Sequence, residues 1–295
     1  MKPFVLYCKS YSTDLNRVVR LAQSIRTFNS EDIPFHVSVP STEAALFAEH
    51  LREFNVVLHA DEDIVHTIPG VSASQIQSLS GSTSQQIVKS SFWRMGISSS
   101  YLCVDSDSFF IRPFCIGDFL APDGTPYTVI DEAHDLLEEA LRRGKQRILD
   151  AFDQEASTIQ GMFGRTGKAY SFGPFPLVWH RAVWESLDDN FLKPRGMNFA
   201  AAIASAPVES RWYGEALLAY KAIPLVPTQA LFKVYHYAWQ RDQDHRRGLT
   251  TSDLARLYCG AIYQSAWERE LDWPAEGGSL LSRVGRRLRR KMGRI

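Results

Sequence analysis

The sequence predicts an α/β fold built on an open, largely parallel sheet. Three observations predict it: apolar runs of four or five residues, stretches with helical spacing between them, and the alternation of the two four times within the first 104 residues. The 295 residues suffice for one large domain or two modest ones, and for a core that needs no staple. A content of 45% hydrophobic and 22% charged residues excludes the disordered and fibrous classes. No apolar run is long enough to span a membrane. Met1-Lys2-Pro3 leads into Phe4-Val5-Leu6-Tyr7, too short for the apolar stretch of a signal peptide. Cys8, Cys103, Cys115 and Cys259 lack CxxC spacing and read as reduced core residues of a cytosolic protein.

Taken in order, Phe4–Cys8 is continuously apolar and reads as a buried strand. Leu15, Val18, Ala22 and Ile25 recur at helical spacing, with Thr13 or Asp14 as N-cap. Phe35–Val39 is a second strand stopped by Pro40, residues 44–54 a helix, and Val56–Leu58 a third strand ending near Asp61-Glu62-Asp63. Residues 72–84, rich in Ser, Gly and Gln, have loop composition. A helix over residues 85–95 places Gln85, Lys89 and Trp93 on one face, and Tyr101–Val104 is the fourth strand. Beyond it the pattern predicts strands at 109–111, 127–130, 175–179 and 231–236, and helices at 135–152, 182–187 and 213–220. The expected organisation is one domain over 1–245, with halves 1–115 and 116–245, a helical extension over 246–278, and a tail over 279–295.

Net charge is zero, but the last 17 residues carry seven basic groups and no acid, which leaves 26 basic against 33 acidic residues in the rest. In that tail Leu281, Val284, Leu288, Met292 and Ile295 repeat at helical spacing with arginines opposite. A basic amphipathic helix of this type suits an anionic membrane surface better than a nucleic acid, which needs only the charge.

The chemistry concentrates where the fourth strand ends. Asp105-Ser106-Asp107 follows an apolar strand at the edge where open α/β sheets bind ligands. Two carboxylates one residue apart suit a hard cation, Mn²⁺ or Mg²⁺, which bridges naturally to phosphate oxygens. The stretch from Gln86-Ile87-Val88-Lys89 to Tyr101-Leu102-Cys103-Val104-Asp105-Ser106-Asp107-Ser108-Phe109-Phe110 resembles the core of GT-A glycosyltransferases, closest to a little-characterised bacterial group. The likeness is sharp over 85–115 and extends to about residue 240.

The resemblance implies a Rossmann-like mixed sheet flanked by helices, a divalent metal, and a nucleotide-sugar donor, most readily a UDP-sugar. Asp107 would be the direct metal ligand, with Asp105 on the ribose or a metal-bound water and Ser106 and Lys89 near the donor. His236, on a late strand, would complete the metal site with Asp105 and Asp107. Glu215 or Glu209 would remove the acceptor's proton, Glu215 being kept ionised by a helix N-terminus. Ser10 and Tyr11 would hold the base, and Arg17 or Arg20 the diphosphate. Asp61, Glu62 and Asp63 are weaker donor-side candidates, and an acidic loop explains them better. Asp131, Glu132 and His134 follow another strand and are open to a place in the acceptor cleft, which their spacing does not decide, and Phe172-Gly173-Pro174-Phe175 resembles the turn beneath the acceptor sugar.

Other motifs fail. Gly164-Arg165-Thr166-Gly167-Lys168 lacks the spacing and hydroxyl of a phosphate loop, and no GxGxxG, HExxH or GxSxG occurs. The expectation is therefore a transferase of surface-polysaccharide or lipid-linked glycan synthesis, cytoplasmic and peripheral on the inner membrane face. The alternatives are a haloacid-dehalogenase-like phosphohydrolase, whose first Asp is the nucleophile, and a non-catalytic sugar- or membrane-binding protein of the same fold.

Overall fold

The computed structural model describes residues 2–264. The chain opens with β1 (Lys2–Lys9), α1 (Leu15–Phe28), β2 (Phe35–Val39), α2 (Ala44–Leu51), β3 (Val56–Ala60), α3 (Asp61–His66), α4 (Ala73–Gln77), α5 (Gly81–Ser91) and β4 (Ser98–Val104). There follow β5 (Ser108–Phe110), β6 (Tyr127–Val129), α6 (His134–Arg142), α7 (Gln146–Met162), β7 (Leu177–His180), α8 (Arg181–Leu187), α9 (Phe199–Ser205) and α10 (Glu209–Tyr220). The described chain closes with β8 (Val226–Thr228), β9 (Phe232–Tyr235), α11 (Ala238–Arg246), α12 (Thr251–Leu254) and β10 (Gly260–Tyr263).

These elements make a mixed α/β fold, with a parallel-dominated central sheet flanked by helices. Its strand order is β3-β2-β1-β4-β7, the first four parallel and β7 antiparallel to β4. The inner strands read as continuous apolar runs because both faces are covered: all five residues of β2 are buried, whereas edge strand β3 is mostly half-buried. The chain leaves β1 to form β2 and β3 on one side, then crosses back to place β4 on the other. The order therefore reverses between β1 and β4, which opens a crevice at their carboxyl ends.

A short 3-10 turn after α5 caps one face of the sheet. There Phe92 stacks on Tyr7, with ring centroids 3.7 Å apart, and meets Tyr101 edge-on at 5.2 Å. Trp179, Trp184, Phe199 and Tyr213 interlock beside β7, and the Tyr213 hydroxyl accepts a hydrogen bond from the His180 amide at 2.9 Å. A second sheet, β5-β10-β9, continues from the acidic turn, with β10 antiparallel to β5 and parallel to β9.

Four expectations are corrected. Residues 72–84 are not a loop but hold all of α4 and the start of α5. Ser72 and Ser80 accept from the Gln75 and Thr83 amides, so these serines cap helices. The helix expected at 135–152 is two helices, because Gly144 takes φ +62° and closes α6. The helix expected at 213–220 begins at Glu209, directly after Ala206-Pro207-Val208. The extension at 246–278 is not wholly helical, since Gly260–Tyr263 is the middle strand of the second sheet. The tail at 279–295 lies outside the described residues. No helix among the described residues is long and apolar enough to cross a membrane. Each of the four cysteines is free; Cys8, Cys103 and Cys259 are buried and Cys115 is half-buried.

Gly260 passes so close to the Phe109 carbonyl and the Phe232 ring that a Cβ there would collide with both. Gly260→Ala is expected to destabilise the protein by about 1–3 kcal/mol through overpacking. Urea unfolding checks this; an unchanged midpoint would show that the second sheet yields.

Candidate active site

Acids from several elements gather near the carboxyl ends of β1 and β4. Val104 ends β4, and Asp105-Ser106-Asp107 forms a tight turn in which the Ser108 amide donates to the Asp105 carbonyl at 3.0 Å. The Tyr263 amide, on β10, donates to the Asp107 carbonyl at 3.2 Å. Asp107 is buried, whereas the Asp105 side chain keeps 23% of its exposure.

Lys89 reaches this turn from α5. Its ammonium is buried, ion-paired with the Asp105 carboxylate, 3.8 Å from Glu209 Oε1 and 4.5 Å from the centre of the Phe175 ring. Burial pulls its pKa down, but Asp105 and Glu209 outweigh that and hold it above the ordinary lysine value. Burial lifts the pKa of Glu209 in turn, against the pull of Lys89. Gln86, one turn earlier on α5, accepts from the Glu209 amide at 3.3 Å and so seats the start of α10 over the same helix. The polar Gln/Lys face expected before the acidic motif is thus present, but it faces inward.

On the other wall Lys9, the last residue of β1, pairs with Asp61 at 3.0 Å and donates to the Ser10 carbonyl at 2.7 Å. Burial raises the Asp61 pKa against the opposing pull of Lys9. Ser10 is 1% exposed, and its hydroxyl makes no hydrogen bond among the described residues, whereas Tyr11 is 41% exposed at the rim. Ser106 donates to Asp14 Oδ2 at 3.0 Å, and Arg17 pairs with the other Asp14 oxygen. Asp61, Glu62 and Asp63 form the first turn of α3 rather than a loop, with Glu62 accepting from the Ser41 amide at 2.9 Å.

Two candidates are placed elsewhere. Glu215 is not at a helix N-terminus. It lies in the second turn of α10, about 120° around the helix from Glu209, and Arg165 binds both its oxygens at 2.6 Å. His236 follows β9, and β10 pairs between β9 and β5, which sets His236 at the same end of the second sheet as Asp107 with one strand between them. Its amide donates to the Gln240 side chain at 2.8 Å, and burial pushes its pKa down to about 4, so the imidazole is neutral. Among the described residues no three His, Cys, Asp or Glu side chains form a cation-sized group. The two carboxylates of the turn still fit Mg²⁺ or Mn²⁺, which commonly take one or two protein carboxylates and complete their shell with water and phosphate. Asp131 accepts from the Ser171 hydroxyl, and Glu132 pairs with Lys168 at 2.6 Å and with His134 at 3.7 Å. These contacts brace the loop that carries Gly173.

Lys9, Asp14, Gln86, Phe175 and Arg165 take part in this architecture without having been singled out for it. Only Lys9 had a usable signal, a cation directly ending an apolar strand at the ligand edge.

Residues 3–252 match the model of a family described as "Family of unknown function (DUF6492)". The chain belongs to that family. No curated protein matches this DUF6492 chain. Among solved structures it is similar to apo mouse xyloside xylosyltransferase 1, with 9% identity, coverage of 90% of this chain and 99% of that one, and a TM-score of 0.49. It is also similar to the galactosyltransferase LgtC bound to donor and acceptor sugar analogues, at 14% identity, 92% coverage of each chain and a TM-score of 0.46. A third likeness is to apo WbbM, a bifunctional glycosyltransferase, at 11% identity, 88% of this chain, 45% of that one and a TM-score of 0.46.

Removing the Lys89 ammonium would leave Asp105 and Glu209 without their cation. Lys89→Met is expected to cost about 3–5 kcal/mol at neutral pH. The Glu209 carboxyl, already lifted by burial, would then stand further above its unfolded value. Its contribution to the variant's stability is thus fully present below about pH 4 and lost as pH rises through the folded value. Urea titrations at pH 4 and pH 7.5 check this; an equal loss at both would show that the ammonium does not neutralise the acids.

Proposed function

We propose that this chain is a glycosyltransferase that moves a sugar from a nucleotide-sugar donor, a UDP-sugar first among them, to a surface-polysaccharide or lipid-linked acceptor. The observation that carries the reading is the Asp105-Ser106-Asp107 turn at the switch point of a parallel sheet, with a buried ammonium, Lys89, fixed against it. Asp105 and Asp107 would hold Mg²⁺ or Mn²⁺, which supplies Lewis-acid neutralisation of the leaving diphosphate.

The chain's own groups account for the rest. Lys89, pinned by two carboxylates before any ligand arrives, offers fixed positive charge that needs no reorganisation as the diphosphate leaves. Ser10 and Tyr11, at the end of β1, would take the base, and Arg17 flanks the path to the diphosphate. Glu209 is preferred over Glu215 as the base, since Arg165 occupies both oxygens of Glu215 while burial lifts Glu209 towards the pH at which a carboxylate accepts a proton efficiently. In that role a Glu209 oxygen takes the acceptor hydroxyl's proton as the new C–O bond forms, and the diphosphate departs with the electron pair of the broken bond. The basic residues of 279–295 would draw the enzyme to an anionic membrane carrying its acceptor, in keeping with a peripheral place on the inner face.

A panel of nucleotide sugars with Mn²⁺ is expected to raise the melting temperature for one donor, by the equivalent of about 2.7 kcal/mol at a hundredfold excess over Kd. Asp107→Ala should abolish that shift, and a chelator should stop donor hydrolysis. Donor turnover that survives both treatments would overturn the reading.

A further inference from the structure

We infer that Asp14 is a positioning residue for the acidic turn, holding Ser106 so that Asp105 and Asp107 present their carboxylates to the crevice. The inference rests on the proposed function only for its catalytic meaning; the contact itself does not depend on it. Asp14 closes the 3-10 turn Ser12–Asp14, which runs directly into α1, so it lies within a continuous helical run. Its side chain makes no cap bond to α1. Its Oδ2 instead accepts from the Ser106 hydroxyl at 3.0 Å across 92 positions of sequence, and its Oδ1 pairs with Arg17. The carboxylate is buried, with 11% side-chain exposure, so it stays where it is aimed.

Each of the three turn residues is thus anchored. The Asp105 carbonyl is held by the Ser108 amide, the Asp107 carbonyl by the Tyr263 amide, and Ser106 by Asp14. The middle anchor is the one supplied from beyond β1, on the opposite wall of the crevice. The Arg17 pairing lets a third acid stand there without adding net negative charge beside a site for phosphate. The Asp14 carboxylate is committed to Ser106 and Arg17, and its side chain does nothing for α1.

The test compares wild type with Asp14→Ala, Asp14→Asn, Ser106→Ala and the Asp14→Ala/Ser106→Ala double variant. In metal-free full-length protein, hydrogen exchange at the Ser106–Ser108 amides is expected to rise at least tenfold in both single alanine variants. The double variant should exchange no faster, and Asp14→Asn, which still accepts from Ser106, should return close to wild type. Amides of the first turn of α1 should keep their rates. The half-saturating Mn²⁺ concentration for the thermal shift with UDP should rise about fivefold to tenfold in the same alanine variants and not in Asp14→Asn. Faster exchange in α1 with an unchanged turn would make Asp14 an ordinary cap and overturn the inference. Equal exchange in all proteins would also overturn it, as would additive effects in the double variant. If wild type itself shows no Mn²⁺/UDP response, the proposed function fails, while the exchange result still decides the role of Asp14.

Discussion

The contact on which the site depends is the ammonium of Lys89 held between Asp105 and Glu209. A lysine with 4% of its surface exposed is tolerated only when carboxylates replace the water it has lost. That requirement joins three elements distant in sequence: α5 carries the cation, the turn after β4 carries one acid, and the first turn of α10 carries the other. Gln86 adds a neutral bond along the same seam. The half of the chain expected to bind a nucleotide is thus locked to the half expected to bind an acceptor by charge as well as by apolar packing. The Phe175 ring, from the second half of the chain, covers the ammonium.

The same arrangement recurs along the sheet edge. Lys9 matches Asp61 across the ends of β1 and β3, and Arg17 matches Asp14 at the entrance to α1. Exposed ion pairs contribute little, whereas breaking a buried one leaves a stranded charge and is strongly destabilising. These pairs are mostly buried, so they act as fixed points. Beneath them, the stacked Tyr7 and Phe92 and the Trp179–Trp184 cluster supply the dispersion and hydrophobic burial that hold the sheet to its helices. These three pairs gather at the edge where ligands bind in this class of sheet.

Much of this was legible in the sequence, for physical reasons that differ by element. Strands β1, β2 and β4 stand out because both their faces are covered, which leaves an unbroken apolar run. The acidic turn stands out because it follows β4 directly. Serine-rich α4 and the start of α5 were missed because the residues that cap a helix are also those that build loops. Gly144 was missed because helical periodicity carries no φ angle. The choice between Glu209 and Glu215 turned on Arg165, fifty positions from Glu215 and on a different segment, which spacing alone could not supply. His236 and the acidic turn lie on strands of one sheet, but only the strand order reveals that β10 stands between them.

That intervening strand also governs when the turn can be completed. Residues 108–110 and 260–263 are neighbours in space yet separated by about 150 positions, a pairing that carries a large loop-closure cost and belongs late in folding. During synthesis the four parallel strands are complete once residue 104 has emerged, and they can assemble long before the latch from Tyr263 to Asp107 exists. A nascent polypeptide released before residue 260 would possess the main sheet but an unfastened acidic corner. Maturation of the site in this way waits for a strand that is made about 150 positions after the turn itself.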